Sequence, residues 1–149
     1  MRYIDQIVIH CSATEEGKPV TVAQIRQWHL KRGFKDIGYH YVIDIDGVIQ
    51  PGRPLDQDGA HAMSYNVGSI GICYVGGLSL KTLKPMDTRT QRQRDALKLL
   101  INVLTVVFPI TAIDGHRDLS VDMNGDGVIS KFEWMKDCPC FNVHDEFKV

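Results

Sequence analysis

The sequence predicts an α/β domain in which a mixed central β-sheet is flanked by helices. Three observations carry this. The runs Ile7-Val-Ile9 and Ile70-Gly-Ile-Cys-Tyr-Val75 are apolar without alternation, as strands covered on both faces are. Two segments open on the reciprocal Thr-x-x-Gln capping signature, at Thr21 and Thr90, and continue with apolar residues at helical spacing. Strands and helices alternate along 149 residues, 44% of them hydrophobic, which suits one domain (residues 1–149) burying roughly two thirds of its unfolded surface.

In chain order, Tyr3 to Ile9 reads as a strand that delivers His10 at its end. Thr21 to Arg32 is a helix closed by Gly33, with Val22, Ile25, Trp28 and His29 on or near one face and Trp28 expected in the core. From Gly38 to Gly52, Tyr39, Tyr41 and Ile43 alternate with His40, Val42 and Asp44, and Asp46-Gly47 marks a hairpin turn. Arg53 to Asn66, which contains His61, is loop. Ile70 to Val75 takes a central place in the sheet and ends in Gly76-Gly77, before an exposed loop from Leu78 to Thr88. Thr90 starts a long helix whose Ala96, Leu97, Leu100, Ile101, Leu104 and Phe108 form an apolar stripe, and Pro109 stops it. A short strand, Ile110 to Ile113, leads to His116.

A formal net charge of -1 offers none of the basic field that dominates nucleic-acid binding, so a nucleic-acid partner is excluded. No run approaches the roughly 18 apolar residues of a membrane span. In MRYIDQIVIHCSAT, Asp5 and Gln6 interrupt the apolar run, a poor match to a signal peptide, so synthesis in the cytoplasm without an export signal is expected. There Cys11, Cys73, Cys138 and Cys140 stay reduced, which leaves Cys138 available to a metal. A monomer is expected.

The segment Gly115 to Phe141 holds two metal-ligand patterns, one inside the other. From Asp122 to Glu133, DMNGDGVISKFE places oxygen donors at loop positions one (Asp122), three (Asn124), five (Asp126) and nine (Ser130). The carbonyl of Val128 stands at seven, Gly127 at six and Glu133 at twelve, a complete calcium-loop pattern. The entering segment HRDLSVD has no apolar helical period, so the expected ion is structural rather than regulatory. Asn-Gly-Asp-Gly is also ordinary turn punctuation. The outer pattern is His116 and Cys138, which bracket the loop; imidazole plus thiolate suits zinc. Taken singly, His10 reads as a satisfied buried histidine, Cys138 as packing, Tyr39 as a strand tyrosine and Lys136 as a surface charge.

Ile9-His-Cys-Ser-Ala-Thr14, Ile37-Gly-Tyr-His-Tyr41, Gly59-Ala-His-Ala62 with Tyr65-Asn66, Ser69-Ile-Gly-Ile-Cys73 with Val75-Gly-Gly77, Gly115-His-Arg-Asp118 and Lys136-Asp-Cys-Pro139 together carry a resemblance. The chain resembles the phage lysozyme-type N-acetylmuramoyl-L-alanine amidases of the type 2 amidase and peptidoglycan recognition protein superfamily, from about residue 4 to residue 143. The resemblance implies that family's fold and makes His10, His116 and Cys138 the three protein ligands of a catalytic zinc. Three ligands leave a fourth position for a water that zinc acidifies to a pKa of about 7. Tyr39 and Lys136 match the family's catalytic side chains, which can donate to the oxyanion formed during amide hydrolysis. His61 matches a position in the substrate groove, where a purely structural loop histidine is the alternative. The implied reaction cleaves the amide between the lactyl group of N-acetylmuramic acid and L-alanine in peptidoglycan.

The departure from the family pattern is the inserted calcium-like loop, which separates His116 from Cys138 by 22 positions. Calcium is expected to stand in for a shorter tether and so to aid zinc retention, with Glu133 orienting Lys136 and Cys138. Two other functions remain open: a peptidoglycan-binding module without catalysis, which would be expected to lack Cys138, and a calcium-dependent interaction domain. The settings that fit are an endolysin acting on the bacterial wall after release, an antibacterial effector, and a wall-recycling enzyme.

Overall fold

The computed structural model describes all 149 residues. A five-stranded sheet forms from β1 (Gln6–Cys11), β3 (Tyr41–Ile43), β4 (Ile49–Pro51), β5 (Ser69–Tyr74) and β7 (Ala112–Gly115) in the order β4-β3-β5-β1-β7. The neighbours β3, β5, β1 and β7 run parallel, and only β4, at the edge, pairs antiparallel. The central strand is β5, and all six of its residues are buried, as its unbroken apolarity requires. A small two-stranded parallel ladder, β2 (Thr14–Glu15) with β6 (Gly77–Leu78), continues beyond the ends of β1 and β5.

Period-two alternation divides the sheet into two unequal faces. Ile7, Ile9 and Cys11 of β1 and Ile70, Ile72 and Tyr74 of β5 point into the larger core, which α2 (Gln91–Val107) covers with Ala96, Leu97, Leu100, Ile101 and Leu104. Ile25 of α1 (Val22–Lys31) instead packs with Val20, Ile37, Val42 and Val75 in a smaller cluster. His10 and Cys73, register partners across β1 and β5, lie out of phase with the residues of the larger core. That phase turns His10 toward the lightly covered face.

Both long helices begin as expected. At Thr21 and Thr90 the threonine hydroxyl accepts the N–H three residues on, and the Gln24 or Gln93 side chain accepts the cap N–H in return. Gln93 does more, since its side-chain amide also donates to the Val75 carbonyl at 2.9 Å and so ties α2 to the sheet. The short α3 (Val143–Glu146), which no sequence pattern announces, is clamped by Arg89. The Arg89 guanidinium is fully buried, donates to Asp87 and Glu146, and stands 3.2 Å above the Phe141 ring.

Four expectations shift. Trp28 is 41% exposed rather than core. Ile25 and His29 are the buried residues of the helix, and His29 turns inward because its Nδ1 accepts the Gly38 N–H at 2.8 Å. The first strand begins at Gln6 rather than Tyr3 and includes His10. Tyr39 lies before the strand that starts at Tyr41. The last strand starts at Ala112 rather than Ile110, because the N–H groups of Thr111 and Ala112 both go to the Asp5 carbonyl and pairing with β1 begins only beyond it.

Candidate metal centre and active site

Adjacent parallel strands bring the two histidines together. Ile9 is in register with Gly115, so His10 and His116 follow side by side at the ends of β1 and β7, with ring centroids 4.7 Å apart. Cys138 arrives from the far side of the insert. Its carbonyl accepts the Arg117 N–H at 2.9 Å and its sulfur accepts the Cys11 N–H at 3.2 Å, which holds Sγ 3.8 Å from His10 Nδ1. Gly115 permits this approach: a Cβ there would stand 2.7 Å from Cδ of Pro139. One ligand atom each from His10, His116 and Cys138 lie within 4.8 Å of one another.

The donor set fits zinc on chemical grounds, two imidazoles and one sulfur close enough to share one ion. The imidazoles are also in the neutral form that a metal needs. Burial, then the neighbouring His61 and His116, hold the His10 pKa well below its usual value; burial, then the Lys136 charge, push His116 down to about 4. Burial takes His61 down to about 3. The other sulfurs are kept as thiols: the bond to Cys138 helps push Cys11 up to about 12, and the bond to Cys11 raises Cys140.

These histidines make the metal-free protein acid-sensitive. Each folded pKa lies below the unfolded value of about 6.5, so the stability they allow is complete above that value and is lost as the pH falls toward 4 and 3. The melting temperature of metal-free protein is expected to fall steadily between pH 7 and pH 4 in calorimetry, with excess proton uptake on unfolding.

Tyr39 packs its ring on His10 at 5.1 Å between centroids. Burial, then the thiols of Cys73, Cys138 and Cys11, push its phenol well above the usual tyrosine range, so the hydroxyl stays a donor. Lys136 is exposed, and its charge adds to the effect of burial in lowering His116 and, less, His10.

His61, expected either in the substrate groove or as a structural loop histidine, is buried against His10. It is 8% exposed and sits behind His10, with Nδ1 2.9 Å from His10 Nε2 and Nε2 3.2 Å from the Ser69 hydroxyl. Two glycines form its slot, since a Cβ on Gly59 or Gly71 would stand 2.4 or 2.5 Å from the His61 ring. Gly71→Ala is therefore expected to destabilise the protein by about 1 to 3 kcal/mol through overpacking. Thermal melting would show this as a midpoint lower by several degrees.

The insert is a chain of tight turns. Asp122 accepts the N–H groups of Gly125 and Gly127 at 2.7 and 2.8 Å, with both glycines left-handed at φ 75° and 82°. Glu133 spends both oxygens within the loop: one accepts from Met123 and Asn124, the other from the backbone and hydroxyl of Ser130. Asp122, Asp126 and Glu133 do not gather to within 4.8 Å as the zinc-type ligands do. The segment forms a 3₁₀ turn at Lys131–Glu133 rather than an exiting helix.

The profile of the N-acetylmuramoyl-L-alanine amidases matches residues 1–140. The chain belongs to this family. The endolysin of Enterobacteria phage K11 is 39% identical over 115 residues, 77% of this chain and 76% of the endolysin. Among solved structures, the N-acetylmuramoyl-L-alanine amidase LysC from Clostridium intestinale superposes with a TM-score of 0.72 at 26% identity, covering 97% of this chain and 82% of LysC. Wild-type Drosophila PGRP-LB superposes with a TM-score of 0.71 at 26% identity, covering 98% of this chain and 80% of that one. The mixed α/β architecture found here is thus the one that these neighbours share. No helix of this amidase-family chain is long and apolar enough to cross a membrane.

Proposed function

We propose that the protein is a zinc-dependent amidase that hydrolyses the lactyl-L-alanine amide of peptidoglycan, with His10, His116 and Cys138 as zinc ligands. The observation that carries this is the convergence of those three donor atoms within 4.8 Å at the strand ends of an amidase-family fold. Zinc, when bound, supplies a Lewis acid that acidifies water and polarises a carbonyl.

The chain's own groups supply the rest. Tyr39, held protonated by burial beside His10, donates a hydrogen bond to the amide oxygen as negative charge grows on it. Lys136 offers an exposed cation whose charge contributes at His116, and in this reading it stabilises the charge on the amide oxygen. The neutral imidazoles of His10 and His116 are not charged acids at pH 7, so each can turn a lone pair to the ion as a ligand.

Digestion of purified peptidoglycan, with fragment masses read against Cys138→Ala as control, tests the reading. Release of free stem peptides by wild type alone supports it. Retention on insoluble wall without release would make the protein a recognition module; action on the wall after release is the setting that the endolysin relative supports, and we propose a monomer.

The calcium loop rests on its residue pattern, Asp122, Asn124, Asp126, Val128, Ser130 and Glu133, and on the two left-handed glycines that let the chain turn. Binding requires Glu133 to exchange its Ser130 and Met123 hydrogen bonds for the ion. Calcium is expected to raise the melting temperature of metal-stripped protein and to aid zinc retention, and Asp126→Ala to abolish both effects. Calorimetry showing no heat on calcium addition would remove the site.

A further inference from the structure

We propose that Ser69, acting through His61, sets the tautomer of His10, so that His10 presents a bare Nδ1 to the metal site before any metal arrives. This rests on the zinc reading above for its purpose, but the tautomer itself follows from hydrogen bonds within the chain.

The Ser69 hydroxyl lies 2.6 Å from the Tyr65 carbonyl oxygen, which can only accept, so the hydroxyl proton is committed there. The Ser69 oxygen can then only accept from His61 Nε2 at 3.2 Å. A neutral imidazole carries one N–H, so His61 Nδ1 is left with its lone pair. That lone pair faces His10 Nε2 at 2.9 Å, and His10 must donate the proton of that bond. Its remaining nitrogen, Nδ1, is bare and stands 3.8 Å from the Cys138 sulfur. The opposite tautomer would set two lone pairs against each other in a buried contact and put a proton where the metal must bind.

The surroundings hold this relay in place. Gly59 and Gly71 shape the slot for the His61 ring, and Asn66 Oδ1 accepts the N–H groups of His61 and Ala62 at 2.8 and 3.0 Å. Ser69 opens β5, buried in the sheet, and cannot rotate away to water. Ser69 and His61 are positioning residues: neither has a donor atom in the ligand group.

The test uses the full chain and two readouts: nitrogen chemical shifts of His10 in metal-free protein at pH 7, and zinc affinity by competition with a chelator. Wild type is expected to show His10 as the Nε2–H form. His61→Leu, which removes the acceptor, is expected to mix the two forms and weaken zinc binding about 10- to 100-fold. His61→Asn, whose carbonyl oxygen can stand near the place of Nδ1, is expected to keep the Nε2–H form and bind zinc close to wild type. Ser69→Ala should fall between them. A purely structural role would lower the melting point of both His61 variants and leave the His10 tautomer alone. The proposal is overturned if metal-free wild type shows His10 as Nδ1–H, if His61→Leu keeps both tautomer and affinity, or if His61→Asn is as weak as His61→Leu. A wild type with the Nε2–H form that takes up no zinc would instead overturn the zinc reading and leave the relay standing.

Discussion

Replacing Cys138 by alanine is expected to lower peptidoglycan hydrolysis about a thousandfold, because Lewis-acid stabilisation worth several kcal/mol translates at about 1.4 kcal/mol per tenfold. The sulfur is the one ligand that lies neither in a strand nor directly after one. It is held by its hydrogen bond from the Cys11 N–H and by the Arg117 N–H on its own carbonyl. The second contact survives the substitution, so the backbone path should persist. Metal-free wild type and metal-free variant are therefore expected to melt within a few degrees of each other, and only wild type should gain stability when zinc is added. Equal gains in both would mean that the ion sits elsewhere, and undiminished hydrolysis by the variant would remove zinc from the reaction. The cluster of Asp114, Asp118 and His144 is the other place where three such donors converge, and it provides the comparison site for that outcome.

The elements that local chemistry specifies were legible in the chain. Thr21 and Thr90 marked both helix starts, because a capping box is a four-residue interaction, and the apolar run through Ile72 marked the central strand. What was missed depends on partners distant in sequence. Thr14–Glu15 becomes a strand only because Gly77–Leu78 lies beside it, and Val143–Glu146 follows Phe141, which lies under the Arg89 guanidinium, within reach of that arginine. Trp28 illustrates the same limit: helical phase put it near Ile25, yet the inward position went to His29, whose ring nitrogen had a backbone N–H to satisfy. The zinc-type ligands emerged from motif resemblance, since spacing cannot bring residues 10, 116 and 138 together. Their convergence is a property of strand order, which places β7 beside β1. His61 is legible through its motif, and the structure packs it against His10 and Ser69. Its signal was the pair of small residues, Gly59 and Gly71, that clears room for a buried ring.

Tyr39→Phe is expected to reduce kcat by about 10²- to 10³-fold with little change in KM, the cost of losing one donor to a developing oxyanion. The variant keeps the ring that packs on His10 and His29, so its fold and zinc affinity should stay near wild type. Lys136→Ala should produce a loss of similar size, with an added signature that separates it from a passive surface change. The Lys136 charge depresses the pKa values of His10 and His116, so its removal should raise both in metal-free protein, observable by following the ring signals through a pH titration. Tyr39→Phe removes no cation and should leave the Lys136 contribution in place. If Lys136→Ala shifts neither histidine, the side chain is not aimed at the site and the Asp122 to Glu133 insert has turned it aside. If it shifts both while turnover is unchanged, Lys136 sets the field of the site without touching the reacting amide, and Tyr39 carries the oxyanion alone.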